Sequence, residues 1–192
     1  MTKNNQSAQD IITTASRLFQ LYGYQGVGLN EIIKESGTSK GSFYYYFPGG
    51  KEELAIASIQ YTKEMISNKI LIATKGINDP VKAIQAYLHN MCVEYREGTI
   101  LGVRIGTIAG ETALINDPIR LACKAALDEW KTVFSEKFIA AGWSEEQSRN
   151  LSLTVHAMIE GAIILCLTEK SDLPLRIIAD QIPFLLKKEL NG

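Results

Sequence analysis

Apolar residues recur along this chain with a period of about 3.6, and glycine or Asn-Asp-Pro punctuation separates the periodic stretches. The first stretch, Ile11, Ile12, Ala15, Leu18, Phe19 and Tyr22, predicts a helix ending near Gly23, with Ser7 and Asp10 as a capping box at its start. A glycine-rich connection, 23–28, follows. Ile32 and Ile33 then give a short helix a buried side, Gly37 permits a sharp reversal, and Ser39 can cap a further helix whose Phe43 and Phe47 point inward. These three helices make a head of about fifty residues with the order of a helix-turn-helix. From Lys51 a longer pattern through Leu54, Ile56, Ile59, Met65, Ile66 and Ile70 reaches about Thr74. At 1.5 Å per residue it covers roughly 35 Å, enough to join two domains mechanically.

Gly76 and Asn78-Asp79-Pro80 end that pattern, and a helix from Pro80 to Arg96 follows, with Ala83, Ile84, Tyr87, Leu88, Met91 and Tyr95 on one side. A glycine-spaced stretch covers 98–113. Asn116-Asp117-Pro118 then opens a helix that runs to about Ala141 and stops at Gly142. Segment 151–167 is apolar almost all round, so one face of a small bundle cannot cover it. Ala157 and Gly161, four apart, permit close approach of another helix, and 175–190 supplies a partner bent near Pro183. The alternative is a central core helix of a monomer. The fold class is all-α, about nine helices, with a head at 1–50 and a helical domain at 51–192.

Composition narrows the classes. With 192 residues the chain can bury a core as one domain or two small ones. No apolar run approaches bilayer length and the opening MTKNNQSAQD is polar, which predicts a cytoplasmic protein with no membrane partner. Cys92, Cys123 and Cys166 are odd in number and lack paired spacing, so they read as reduced core thiols and not as a zinc site or disulfide frame. The whole-chain charge of −1 argues weakly against nucleic acid. Segment 1–51 nevertheless carries Lys3, Arg17, Lys34, Lys40 and Lys51 against Asp10, Glu31 and Glu35, a net +2. Such modest charge predicts DNA affinity built from paired modules and oriented helix ends, with a moderate salt slope.

The candidate chemistry lies in the third helix. Lys40, Ser42, Tyr44 and Tyr45 fall outside the Phe43/Phe47 stripe, where ammonium, hydroxyl and phenol groups can meet phosphates and base edges in a major groove. A tyrosine-decorated core helix is the duller reading, but three adjacent tyrosines cannot all point inward.

The run S-G-T-S-K-G-S-F-Y-Y-Y-F, residues 36–47, resembles the recognition-helix signature of the TetR family, and the continuation into Lys51-Glu52-Glu53-Leu54 resembles that family's fourth-helix entry. FPGGKEEL, one residue longer than the usual spacing, is similar to the LmrA/YxaF-like subgroup. The resemblance covers about the first quarter of the chain closely and the rest in length and helical character. It implies that Lys40, Gly41, Ser42, Tyr44 and Tyr45 face DNA bases or adjacent backbone, with Tyr46 and Lys51 on phosphate. A threonine commonly caps the family's second helix and touches phosphate, whereas Val27 and Gly28 stand here.

The resemblance also implies that the last two helices pair across a two-fold axis as a four-helix bundle, making a homodimer with Ala157, Gly161, Leu165 and Phe184 at the interface. Function asks for the same, since one short recognition helix reads too few bases. It further implies a pocket among the middle helices for a small molecule. Candidates for its walls are His89, Tyr95, Arg104, Glu111, Trp130, Phe134 and His156, each with a structural alternative as core, satisfied histidine or surface pair. These residue types favour a largely apolar, planar molecule such as a flavonoid or drug-like amphiphile. Its binding would move the heads out of register with the operator, with the long helix from Lys51 as transmitter.

Enzyme motifs do not compete. The chain has no Walker loop or dinucleotide fingerprint, His156-x-x-x-Glu160 lacks the further units a di-iron bundle needs, and His89 with Cys92 lacks an orienting third group. No catalytic residue, metal or cofactor is expected. Together with the reading face of the third helix, the resemblance implies a ligand-responsive regulator, a repressor released from a palindromic double-stranded DNA operator. The alternative is a helical protein–protein adaptor that binds no DNA, distinguished by its weak salt dependence.

Overall fold

The computed structural model describes residues 3–98 and 105–187. Among them are nine α-helices and no strand: α1 (Lys3–Tyr22), α2 (Leu29–Glu35), α3 (Lys40–Tyr46), α4 (Gly50–Ala73), α5 (Pro80–Arg96), α6 (Ile105–Thr112), α7 (Asp117–Ala140), α8 (Glu145–Glu169) and α9 (Leu173–Leu185). They form two units. The first takes α1 to α3, α4 as far as Met65, α6, and α7 as far as Asp128; the second takes the chain from Ile66 through α5, and from Glu129 onward.

In the first unit, Ile11, Ala15, Leu18 and Phe19 of α1 are buried against Ile32 of α2 and Phe43 of α3. Two sequence expectations for α1 need correction. The helix begins at Lys3, so Ser7 lies inside it and not at its cap. The opening Lys-Asn-Asn-Gln run contains no helix breaker and simply extends the helix without an apolar signal. Tyr22, at the end of the predicted stripe, is exposed because the helix stops one residue later at Gly23, whose φ of +76° turns the chain away.

The second unit is built on α5, α8 and α9, with α9 packed on both others. Asp79 accepts from the N–H groups of Val81 (2.9 Å) and Lys82 (3.4 Å), and Pro80 occupies the first turn, where its missing N–H costs no helical bond. Ser144 and Gln147 close α8 with a reciprocal capping box. At the C-terminal end of α4, the Lys137 ammonium donates to the carbonyls of Thr74 (3.4 Å) and Ile77 (3.3 Å), where the helix dipole favours a cation.

Pro183 sits inside α9, which ends at Leu185 and not near residue 190; residues 188–190 lie outside the described residues. A proline cannot donate to the carbonyl four residues back, which is that of Ala179. The Gln85 side chain of α5 donates to that oxygen at 2.9 Å and replaces the missing bond. Helix α8 also corrects the expectation about bilayer length. With a mean hydropathy of 1.8 over its apolar window it is long and apolar enough to cross a membrane by length and composition, and only 33% of that window is buried. Ser152, His156 and Glu160 interrupt the apolar run with polar groups.

Candidate nucleic-acid interface

Helix α3 is prepared by its neighbours in sequence. Gly37, with φ +66°, reverses the chain after α2, and Ser39 then stands extended as the cap of α3, its hydroxyl oxygen accepting from the Ser42 N–H at 3.0 Å. Phe43 and Phe47 are buried with ring centroids 5.6 Å apart, so the rotation of α3 about its axis is set from inside. The opposite face stands in solvent: Lys40, Gly41, Ser42 and Tyr44 are exposed, Tyr45 is 73% exposed, and Tyr46 is half-buried. Tyr45 and Tyr46 meet edge to face at 5.1 Å, and Tyr44 meets Phe43 at 5.3 Å, so the phenols are braced against neighbouring rings. Among the described residues outside its own helix backbone and chain neighbours, a Cβ built on Gly41 would find nothing nearer than the Ser39 hydroxyl at 3.9 Å. The protein leaves that backbone open to an approaching molecule.

Around this surface, Arg17 of α1 pairs with Glu35 of α2, and Glu53 accepts from the Gly49 N–H at 2.8 Å, closing the Pro48-Gly49-Gly50 turn into α4. The predicted phosphate contact Lys51 is half-buried, its ammonium 4.4 Å from the centre of the Tyr24 ring. Burial holds the Lys51 ammonium below its ordinary pKa, and the Glu111 carboxylate acts in the opposite direction. Gly28 caps α2 without a side-chain hydrogen bond, in keeping with the missing threonine.

The seven predicted pocket residues separate. Trp130, Phe134 and His156 are buried in the second unit, Trp130 6.0 Å from the His156 ring and Phe134 5.9 Å from Tyr87. His156 is 8% exposed, and its Nε2 has no hydrogen-bond partner among the described residues, with Glu160 Oε1 at 3.6 Å. Burial, helped by the Lys131 charge, lowers the His156 pKa to about 4, while burial raises that of Glu160. At neutral pH the imidazole is therefore uncharged, and the contact is not an ion pair. Tyr95 also belongs to this unit, its hydroxyl donating to the Cys166 carbonyl at 2.7 Å. His89 is exposed. Glu111 lies in the first unit, bonded to the Gln25 N–H, and Arg104 lies outside the described residues.

Sequence reasoning placed Tyr87 and Glu160 elsewhere, on a core face and in a discarded metal pair. Burial now gathers them with His156, and it raises the Tyr87 hydroxyl's pKa with help from Glu94 and Glu160. Of the predicted interface residues, Ala157 and Gly161 are exposed on α8, Leu165 is 49% exposed and Phe184 on α9 is 74% exposed. Between α8 and α9 runs an apolar groove of about 350 Å³ lined by Ala157, Gly161, Leu165, Leu173 and Ile177 among others. All three cysteines are free and buried, and burial pushes the Cys123 thiol up to about 11.

Two family models match the chain. Residues 11–57 match the one described as bacterial regulatory proteins, tetR family. Residues 80–181 match that of transcriptional regulator LmrA/YxaF-like, C-terminal domain. The chain is 43% identical to the HTH-type transcriptional regulator YxaF of Bacillus subtilis (strain 168), over 98% of this chain and 100% of that protein. It is 46% identical to the HTH-type transcriptional regulator LmrA of the same strain, over 95% and 97%. Among solved structures, a TetR transcriptional regulator from Chloroflexus aurantiacus superposes with a TM-score of 0.83 at 25% identity, covering 98% of each chain.

Proposed function

The chain belongs to the TetR family of bacterial regulatory proteins, with an LmrA/YxaF-like C-terminal domain, and on that premise we propose that this helix-turn-helix transcriptional regulator is a cytoplasmic, ligand-released repressor acting as a homodimer on a palindromic operator. Residues 1–50 serve as the DNA-binding head and 51–192 as the effector-binding and dimerisation domain. The observation that carries the reading is the division of α3, with Phe43 and Phe47 inward and Lys40, Gly41, Ser42, Tyr44 and Tyr45 outward. The outward groups meet base edges or adjacent backbone, and Tyr46 and Lys51 meet phosphate. Lys51 must leave the Tyr24 ring or carry it along, so its contact forms at some cost.

Two such helices, related by a two-fold axis, read half-sites one helical turn apart. The open face of α8 and α9 supports pairing through Ala157, Gly161, Leu165 and Phe184: among the described residues, nothing beyond its own helix backbone and chain neighbours lies within 4 Å of a Cβ built on Gly161, which leaves room for a partner helix. For the effector, the buried cluster of Trp130, Phe134, His156 and Tyr87, with Glu160 beside His156, offers aromatic faces, one neutral imidazole and a carboxyl. That chemistry suits a largely apolar, planar molecule with a hydroxyl to donate or accept. The effector lowers DNA affinity by its differential affinity for the released state and no more.

The test is a fluorescence-anisotropy titration of the purified chain with DNA from upstream of its own gene, against excess nonspecific duplex at two salt concentrations. Specific binding that weakens at the higher salt, and is relieved by a flavonoid, is expected. Binding indifferent to sequence and salt would return the chain's tyrosines to a protein–protein role.

A further inference from the structure

The loop between α1 and α2 is held by a residue far from the helix-turn-helix in sequence. The Gln25 N–H donates to Glu111 Oε2 at 2.8 Å, across 86 residues, from the last turn of α6. The other oxygen of that carboxylate lies so near Gly23 that a Cβ there would meet it at 2.2 Å, and the φ of +76° excludes most side chains a second time. Immediately ahead of α7, Asn116 donates to Glu52 of α4 at 2.6 Å. The same Glu111 charge favours the Lys51 ammonium resting on the Tyr24 ring.

This anchor stands where the second helix lacks one of its own. Gly28 offers α2 no side-chain cap, and Val27 fixes the entry only by burial. A charge-assisted bond to Gln25, three residues ahead of that cap, restrains the segment that feeds α2 and, through Gly37, α3. We propose that Glu111 is a positioning residue for DNA binding, its carboxylate holding the α1–α2 loop so that the reading helix meets the groove preorganised. The proposal rests on the regulator reading and assigns Glu111 to the head and not to the effector.

The experiment uses a duplex selected by the full wild-type chain from a randomised pool, and compares E111A and E111Q by anisotropy alongside dimer content, thermal midpoint and hydrogen exchange at the Gln25 amide. E111A is expected to lose about tenfold in affinity, the scale of one charge-assisted hydrogen bond, with faster exchange at Gln25 and an unchanged dimer. E111Q keeps an acceptor oxygen for Gln25 and is expected to recover most of the affinity. Equal affinity of E111A and wild type would overturn the role of Glu111 while leaving the regulator intact. A loss of affinity that tracks a fall in thermal midpoint without rescue by E111Q would overturn it too. A wild type that selects no duplex would instead overturn the regulator reading beneath it.

Discussion

Tyr45 is the most exposed ring of α3 and is braced by Tyr46, so the DNA contact proposed for it would cost little side-chain entropy. Tyr45→Ala is expected to weaken operator binding by roughly ten- to a hundredfold, the scale of a base contact, while the dimer stays folded. Unchanged affinity would remove Tyr45 from the reader. His156 makes a separate prediction about pH. Its folded pKa of about 4 lies below the ordinary histidine value, so between those values the unfolded chain binds the proton first. Stability contributed by keeping His156 neutral is present at pH 7 and declines as pH falls from about 6.5 to about 4, by up to roughly 3 kcal/mol. Glu160, raised by burial, works in the other direction. Thermal midpoints of wild type and His156→Gln across pH 4–7 isolate the histidine: the variant is expected to show the shallower acid decline.

Among elements, those bounded by a cap were legible in the sequence and those bounded by packing were not. Asp79 with Pro80 and Ser39 ahead of Lys40 mark the starts of α5 and α3, because a side-chain acceptor or a missing donor is a local property that the sequence carries openly. The start of α1 and the end of α9 carry no such mark. For the candidate sites, the outward face of α3 followed from Phe43 and Phe47. The separation of Glu111 from Trp130 and His156 could not follow, since a bond across 86 residues leaves no periodic trace. Two element-scale predictions use these caps and bonds. Ser39→Ala is expected to cost about 1 kcal/mol in denaturant unfolding and to weaken DNA binding with it. Gln85→Leu strands the Ala179 carbonyl that Pro183 cannot reach, at about 1–3 kcal/mol; in a Pro183→Ala background the same change should cost less, because the backbone N–H restored at that position donates to the oxygen itself.

At the scale of the whole molecule, the feature to be tested is the uncovered apolar face of α8 and α9. Phe184→Glu combined with Leu165→Glu is expected to give a monomer in analytical ultracentrifugation, with helical content retained and operator affinity lost by more than a hundredfold, since one head holds only one half-site. A charged pair that left the dimer intact would move the interface elsewhere. On the proposed dimer, the same face ties repression to the rate at which the chain is made. A lone copy leaves Leu165 and Phe184 bare, offering surveillance proteases and chaperones a surface that a paired copy hides. Where chains are scarce, the number of pairs falls with the square of their concentration, so halving synthesis quarters the active species. Gene dosage and dilution at cell division thus become inputs to the switch beside the small molecule.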